Sequence, residues 1–241
     1  MSIRPLFDRS LLVSSKKDIR SDLALKFAKQ ELSGESATVG TTSRIMSAVK
    51  TSSRSAASSL LEELIALQSQ GHSPIIVVPS SSSSKSRLTC LNALKFLQNG
   101  VYEEPNVRTM ARPTMPLELE RPVLGGKATL RFRIIDDTSK LRKEDWKCIV
   151  AVFTEGKMWQ FSGWPFRSDT DLFSAILGFN LRYSDDQVVE PLVLSGRIKS
   201  LLLRRASRHQ DSAVMIEFWR HVDAFLSQPR DKRISRSTKL P

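Results

Sequence analysis

Residues 73–89 read SPIIVVPSSSSSKSRLT. The apolar run at the start of this stretch predicts a short buried strand of the kind that lies inside a parallel sheet. That run is followed by Pro79, by five serines and then by Lys85 and Ser86. A phosphate-binding P-loop also follows a buried strand and ends in Lys-Ser, so the stretch raises the question of whether the chain binds a nucleotide.

The residue types of this loop argue against nucleotide binding. In the motif G-x-x-x-x-G-K-S/T, the glycines let successive backbone N–H groups wrap the phosphates. Here Pro79, which has no N–H, and Ser84, which is strained at positive φ, occupy the glycine positions. We therefore predict a degenerate phosphate loop in which only Lys85 and Ser86 survive. The serine hydroxyls are expected to solvate the turn and to cap the next helix.

Motifs for other chemistry are also missing from the sequence. The strings D-x-x-G and N-K-x-D, which a guanine-nucleotide switch needs, do not occur, and there is no nucleophile elbow. His72, His209 and His221 have no metal-ligand spacing with one another or with the cysteines. We therefore expect no cofactor, no bound metal and no enzymatic activity.

The composition favours an intracellular protein with an anionic partner. Lys and Arg total 37 against 25 for Asp and Glu, which gives a net charge of +12 and makes nucleic acid, a phosphorylated peptide or an acidic membrane surface plausible. Cys90 and Cys148 are predicted to be reduced, buried thiols, as in the nucleus or cytosol. The sequence indicates neither a membrane span nor a secretory signal.

The chain divides into three parts. Residues 1–73 are rich in Ser, Thr and Ala and predict a low-complexity, partly helical tethering segment. Its two helical stretches, 18–32 and 56–70, are expected to dock either on the folded part or on a partner protein. Residues 74–228 alternate strands and helices, which predicts an α/β sandwich with helices on both faces of a mainly parallel sheet. Residues 229–241 predict a basic, disordered tail that attracts nucleic acid or serves nuclear import.

Two details of the sandwich follow from the local sequence. Residues 101–127 contain four prolines and are expected to form a long connection without regular structure. The stretch GRIKSLLLRR, residues 196–205, predicts the last strand, and residues 211–228 predict the last helix, with Asp211 as its N-cap.

Three strings are more specific than the composition. They are PIIVVPSSSSSKSRLTCLNALKFLQNGVY, WKCIVAVFTEGKMWQFSGWPF and RRASRHQDSAVMIEFWRHVDAFL. In order and spacing they resemble the C-terminal domain of the parafibromin family over residues 74–228. The positions that match are Trp146, Val150, Ala151, Val152, Phe153, Gly156, Trp159, Gln160, Phe161, Trp164, Pro165, Arg208, His209 and Asp211.

The resemblance implies a Ras-like, P-loop-type fold that has lost nucleotide binding. It also implies a nuclear scaffold subunit of the RNA polymerase II-associated factor complex, which acts in transcription elongation and co-transcriptional histone modification. The implied partners are the other subunits of that complex, the phosphorylated C-terminal repeats of the polymerase, an elongation factor and chromatin. The large N-terminal domain of the family is not recognisable here, and residues 1–73 do not align with its middle, complex-tethering segment apart from the helix that ends at Gln70. These departures suggest a shortened paralogue or a truncated gene model.

Aromatic residues provide one candidate binding surface. Four of them, including Trp159 and Trp164, fall within eight residues, and the alternation W-Q-F predicts that Trp159 and Phe161 share one face of a strand. These rings either pack the sheet edge onto a helix or form a partly exposed shelf for a proline-rich phosphorylated peptide.

Basic residues provide the second candidate surface, since arginine can bind phosphate oxygens with two parallel hydrogen bonds. The candidates are Arg197, Lys199, Arg204, Arg205, Arg208 and His209. A solvated surface is the alternative for the whole group. Arg208 and His209 have a further structural alternative, because beside Asp211 they can organise the start of the last helix.

The leading hypothesis is a non-enzymatic adaptor whose basic edge binds phosphorylated tails. One rival is a divergent P-loop NTPase that uses Lys85 and Ser86. The other is a general nucleic-acid-binding protein driven by net charge, which predicts sequence-blind binding with a steep salt dependence.

Overall fold

A computed structural model of the chain describes residues 59–83 and 85–229. The predicted helix over 18–32, Ser84 of the loop and all but the first residue of the basic tail lie outside the described residues. The helices are α1 (Leu60–Ser69), α2 (Ala93–Asn99), α3 (Asp169–Ala175), α4 (Pro191–Leu194) and α5 (Asp211–Leu226). The strands are β1 (Ile75–Val77), β2 (Leu117–Val123), β3 (Ala128–Ile135), β4 (Ile149–Phe153), β5 (Leu177–Tyr183) and β6 (Lys199–Leu203).

The strands form one six-stranded sheet in the order β2-β3-β1-β4-β5-β6. Strand β2 pairs with β3 in antiparallel fashion, and every other neighbouring pair is parallel. This is the strand order of the Ras-like fold. The predicted α/β fold with a mainly parallel sheet is therefore confirmed.

The main core lies between the sheet and the long helix α5. Phe179 and Phe218 approach to 4.9 Å between ring centroids, and Phe132 and Trp219 to 5.2 Å. The indole N–H of Trp219, a fully buried side chain, donates to the carbonyl of Leu97 at 2.9 Å, so the ring joins α5 to α2 without leaving its polar atom unpaired.

The opposite face of the sheet is covered more thinly. A Cβ atom placed on Gly178 would lie 2.6 Å from the Phe173 ring, so only glycine lets α3 approach β5 this closely. The Phe173 ring also meets that of Phe161 at 5.5 Å. Short elements and aromatic side chains thus form the third layer.

Helix α1 docks on the folded part, one of the two outcomes that the sequence allowed. Ser59 and Glu62 form a capping box at its start, and the Leu60 N–H donates to the Gln228 carbonyl at 3.1 Å. Leu64 is 1% exposed within the core. The folded unit therefore begins before residue 74.

Three local predictions are wrong. Asp211 is the first residue of α5 instead of its N-cap, which is Gln210. Residues 101–127 contain strand β2, which the sequence hid because Pro122 lies in it; an edge strand tolerates proline where a central strand does not. The serines of the loop do not cap α2, because that helix begins only at Ala93 after a series of turns. Asn92 at its start instead accepts a hydrogen bond from the Thr89 N–H and donates to the Glu103 carbonyl.

Candidate functional site

Four chain segments meet where the parallel strands finish, which we call the carboxyl end of the sheet. This end is the usual place for ligands in such folds. These segments are the serine loop (residues 79–88) after β1 and the connections that follow β4, β5 and β6. Most of the residues that the sequence singled out lie here.

The serine loop is closed by a carboxylate. Ser86 donates its hydroxyl to the Glu155 side chain at 3.0 Å, and Ser83 donates to the same oxygen. A P-loop serine would instead hold magnesium. Because α2 begins only at Ala93, its N-terminus does not lie directly after Lys85 and Ser86, as the helix of a P-loop would.

A cavity of about 280 Å³ adjoins the serine loop. Its charged lining mixes both signs: Lys85, Arg87, Arg182, Glu155, Asp186 and Glu190. A triphosphate would meet three carboxylates there as well as three cations. Within the part of the chain that the structure describes, no group of three or more His, Cys, Asp or Glu side chains could hold a metal ion.

Two tyrosines and a glutamate lie at the centre of the carboxyl end of the sheet. The hydroxyls of Tyr102 and Tyr183 both donate to Glu104 at 3.0 Å. Burial raises the pKa of Glu104, but the hydrogen bonds from Arg87 and the two tyrosines outweigh it and leave that pKa below its ordinary value. Burial, together with the Glu104 carboxylate, raises the pKa of Tyr102. The cluster is therefore a fixed anionic centre surrounded by arginines.

Arg208 belongs to this cluster by its contacts. Its guanidinium donates to Asp211 at 2.7 and 3.0 Å and to the Tyr102 carbonyl at 2.6 Å. Asp211 is only 4% exposed, so the pair joins the start of α5 to the segment before β2. Of the two roles that the sequence left open for Arg208, these contacts match the structural one.

Arg204 and Arg205 lie just beyond the carboxyl end of β6, and both are exposed. Arg205 stacks on the Tyr183 ring at 3.7 Å and forms ion pairs with Asp185 at 2.9 Å and Asp186 at 3.3 Å. Arg204 forms no ion pair with any residue in the described ranges, and His209 is likewise exposed.

Arg197 and Lys199 lie at the other end of β6. The Arg197 guanidinium forms an ion pair with Asp169, and Lys199 is exposed. Arg204 follows Arg197 by seven positions, which corresponds to about 23 Å in a fully extended chain. The structure thus divides the predicted basic cluster into two groups, one at each end of β6.

The predicted alternation of the aromatic residues is wrong. Residues Met158–Phe161 form a 3-10 turn instead of a strand, with Gln160 accepting a hydrogen bond from the Glu155 N–H. Trp159 is therefore 68% exposed while Phe161 is 7% exposed. Trp164 is half-buried and packs on Phe161 at 5.1 Å. Trp159 alone remains as an exposed aromatic surface among these residues.

The sequence did not predict the residues that contact and neutralise the basic side chains at the carboxyl end of the sheet. Glu155 and Glu104 come from loops far from their partners in sequence, so no local spacing could have revealed them. Tyr183 is the last residue of β5 and Asp186 follows that strand, and only the strand order places them beside β6.

The fold and the matching strings can be tested against known proteins. Residues 70–225 match a family model described as "RNA pol II accessory factor, Cdc73 family, C-terminal". The chain belongs to the Cdc73 family. The resemblance to parafibromin is thereby confirmed, and with it a connection to transcription by RNA polymerase II.

Curated Cdc73 proteins are similar at close to 30% identity. The chain is 32% identical over 161 residues to the Protein CDC73 homolog of Arabidopsis thaliana, covering 64% of this chain and 38% of that protein. It is 29% identical over 165 residues to Cell division cycle protein 73 of Caenorhabditis elegans, covering 68% and 31%. The match thus spans about a third of the length of these relatives.

A solved structure supports the same assignment. The conserved domain of yeast Cdc73 superposes with a TM-score of 0.56 at 29% identity, over 64% of this chain and 96% of that one. The match covers nearly all of the yeast domain.

Proposed function

We propose that this chain is a non-enzymatic, nuclear adaptor of RNA polymerase II transcription elongation, acting as a scaffold subunit of the polymerase-associated factor complex. The observation that supports this proposal is the family match over residues 70–225. The proposed partners are the other subunits of the complex, the phosphorylated polymerase repeats, an elongation factor and chromatin.

The site that we assign to phosphorylated tails is the pair of basic groups at the ends of β6. We call Arg197, Lys199, Arg204 and Arg205 the β6 basic ends. Asp185, one of the two carboxylates that pair with Arg205, is 61% exposed, so that ion pair is weak and a doubly charged phosphate can replace this carboxylate. Arg208 differs, because its partner Asp211 is buried. We therefore assign Arg208 to positioning the site instead of to binding.

Trp159 is the aromatic candidate that remains for the same partner. Its exposed ring can receive a proline of an extended segment, which loses little conformational entropy on docking. Trp164 is assigned to packing because its ring lies against Trp146 and Phe161.

The direct test is affinity purification of the tagged full chain from its own cells, with and without phosphatase treatment of the lysate. We expect polymerase and complex subunits to copurify, and phosphatase to reduce the recovery of polymerase. The matched control is the chain with Arg204→Ala and Arg205→Ala. Recovery of a single metabolic enzyme in place of polymerase would contradict the proposal.

Salt dependence separates the adaptor from a charge-driven nucleic-acid binder. The adaptor should prefer a phosphorylated peptide to its unphosphorylated form at physiological salt. A nucleic-acid binder should bind any sequence of DNA or RNA with a steep loss of affinity as salt rises. A titration with both probes on the full chain distinguishes these outcomes.

A further inference from the structure

Strand β6 is one outer edge of the sheet and pairs only with β5 among the described residues. The Ser184 N–H donates to the Leu203 carbonyl at 2.9 Å, so the backbone of Leu203 points toward β5. Because backbone direction alternates along a strand, Leu201 also points toward β5, whereas Ser200 and Leu202 point outward. The outer edge of β6 therefore presents the N–H and C=O groups of Ser200 and Leu202.

The side chains on this edge suit a partner strand. Leu201 and Leu203 are fully buried and hold β6 against the core, while Leu202 is 41% exposed. An added strand would cover the Leu202 side chain while pairing with the open backbone groups. The edge thus combines unpaired hydrogen-bonding groups with an apolar contact.

Charge selects the kind of strand that fits. The β6 basic ends carry four cations, against which stand the carboxylates Asp169 and Asp185 with the half-buried Asp186. A second copy of β6 in antiparallel pairing would bring cation against cation, which disfavours self-association. An acidic strand would instead meet positive charge at both of its ends.

The other edge of the sheet provides a contrast within the same molecule. Strand β2 has Glu118 and Glu120 exposed along it and contains Pro122, which cannot donate a backbone hydrogen bond. Negative charge and proline make β2 unsuited to an acidic strand. Of the two outer strands of the described sheet, β6 is the one that combines an open backbone with positive ends.

We propose that the outer edge of β6 binds an extended phosphorylated peptide as an additional strand of the sheet. The inference rests on the proposed function and adds the mode of binding to it. The backbone of the peptide pairs with Ser200 and Leu202, and its phosphates contact the β6 basic ends. Two phosphates about seven residues apart reach both ends at once, because an extended peptide rises about 3.3 Å per residue.

Proline substitution tests the backbone pairing. Leu202→Pro removes one outward N–H and leaves the hydrogen bonds to β5 in place, whereas Leu202→Ala keeps that N–H and serves as the matched control. We expect Leu202→Pro to weaken binding of a doubly phosphorylated synthetic peptide by about tenfold, and Leu202→Ala by much less. Thermal unfolding of both variants checks that the fold is retained.

A second experiment leaves the protein unchanged and stands even if Leu202→Pro does not fold. The same peptide carries N-methyl groups on alternate residues, in either of the two registers. One register should bind about tenfold more weakly than the other, because only alternate N–H groups of an added strand face β6. Equal affinity for the two registers would overturn strand addition.

Phosphate spacing provides the third readout. A peptide with phosphoserines about seven residues apart should bind more tightly than one of equal length and charge with adjacent phosphoserines. If the wild-type chain binds phosphopeptides but neither spacing nor N-methylation matters, strand addition fails while the adaptor function stands. If the wild-type chain does not distinguish phosphorylated from unphosphorylated peptide, the proposed phosphopeptide site itself fails. Self-association of the wild-type chain through β6, abolished by Leu202→Pro without loss of peptide binding, would also overturn strand addition.

Discussion

The serine loop and the β6 basic ends both offer positive charge to a phosphate, yet their surroundings differ. In the serine loop, Glu155 already accepts hydrogen bonds from Ser83 and Ser86. At the carboxyl end of β6, the Arg205 guanidinium pairs with the exposed Asp185 and the half-buried Asp186, and Arg204 pairs with no carboxylate in the described ranges. The hydroxyls of the serine loop are thus already bound by a carboxylate of the same chain, whereas Arg204 has no such partner in the described ranges and can bind a phosphate.

The difference shows that whether a cation can bind a phosphate depends more on the carboxylate that already pairs with it than on the cation itself. Arg208 and Arg204 are four residues apart, but the partner of Arg208 is a buried aspartate. Removing a cation from a buried carboxylate leaves that charge uncompensated, whereas removing one from solvent costs little. Mutation can therefore separate binding residues from structural ones within the same stretch.

The largest expected effect comes from reversing charge at the carboxyl end of β6. Arg204→Glu together with Arg205→Glu should weaken phosphopeptide binding about 100-fold, because two charge-assisted contacts are lost and repulsion is added. Fluorescence anisotropy with the full chain measures this change. Lys85→Glu in the serine loop is the matched control and should leave affinity within about threefold. Equal losses in both variants would remove the distinction between the two regions.

The second prediction concerns stability. Arg208→Ala should lower the free energy of unfolding by about 1–2 kcal/mol, since Asp211 stays buried without its partner while the arginine itself was partly solvated. Arg204→Ala should change it by less than about 0.5 kcal/mol. Urea denaturation of the two variants provides the measurement. A larger effect of Arg204→Ala would reverse the roles given to these residues.

The third prediction is a pH dependence at the tyrosine cluster. The pKa of Glu104 lies below its ordinary value of 4.5 in the folded chain, so its contribution to stability is present above that value. The contribution is lost as the pH falls through the lowered pKa. Glu104→Gln should therefore have a lower Tm than the wild type at pH 7, and the gap should close in acid. A gap that does not narrow as the pH is lowered below 4.5 would contradict this role.

The smallest expected effect is at the serine loop. GTP or ATP with magnesium should not shift the Tm of the wild-type chain or of Glu155→Gln. Removing the carboxylate charge does not create a cradle of backbone N–H groups, because Pro79 remains and α2 still begins at Ala93. A magnesium-dependent rise in Tm for either protein would revive the NTPase hypothesis.

Much of the fold could be predicted from the sequence because strand and helix patterns are local. The buried run at 75–77, the strand at β6 and the long stripe of α5 all lie where periodicity indicated them. Strand β2 was not predicted because Pro122 argued against a strand there. An edge strand tolerates proline, whereas a central strand does not. The start of α2 was predicted too early because Asn92 makes tertiary hydrogen bonds that no helix propensity describes.

The site was predicted less completely because it depends on neighbours across the sheet. Residue types alone identified the arginines around the last strand. They could not show that Arg197 and Arg204 lie at its opposite ends, because the sequence did not define where the strand begins and ends. They also could not show which arginine meets a buried carboxylate. Trp159 was predicted to share a face with Phe161 because the pattern of four residues does not distinguish a strand from a 3-10 turn.

The most direct test of the central claim is a paired titration of the full chain with a doubly phosphorylated peptide and its unphosphorylated twin at physiological salt. We predict clear preference for the phosphorylated peptide, lost in the Arg204→Glu, Arg205→Glu variant and retained in Lys85→Glu. Equal binding of the two peptides, or loss of the preference in Lys85→Glu alone, would contradict the account.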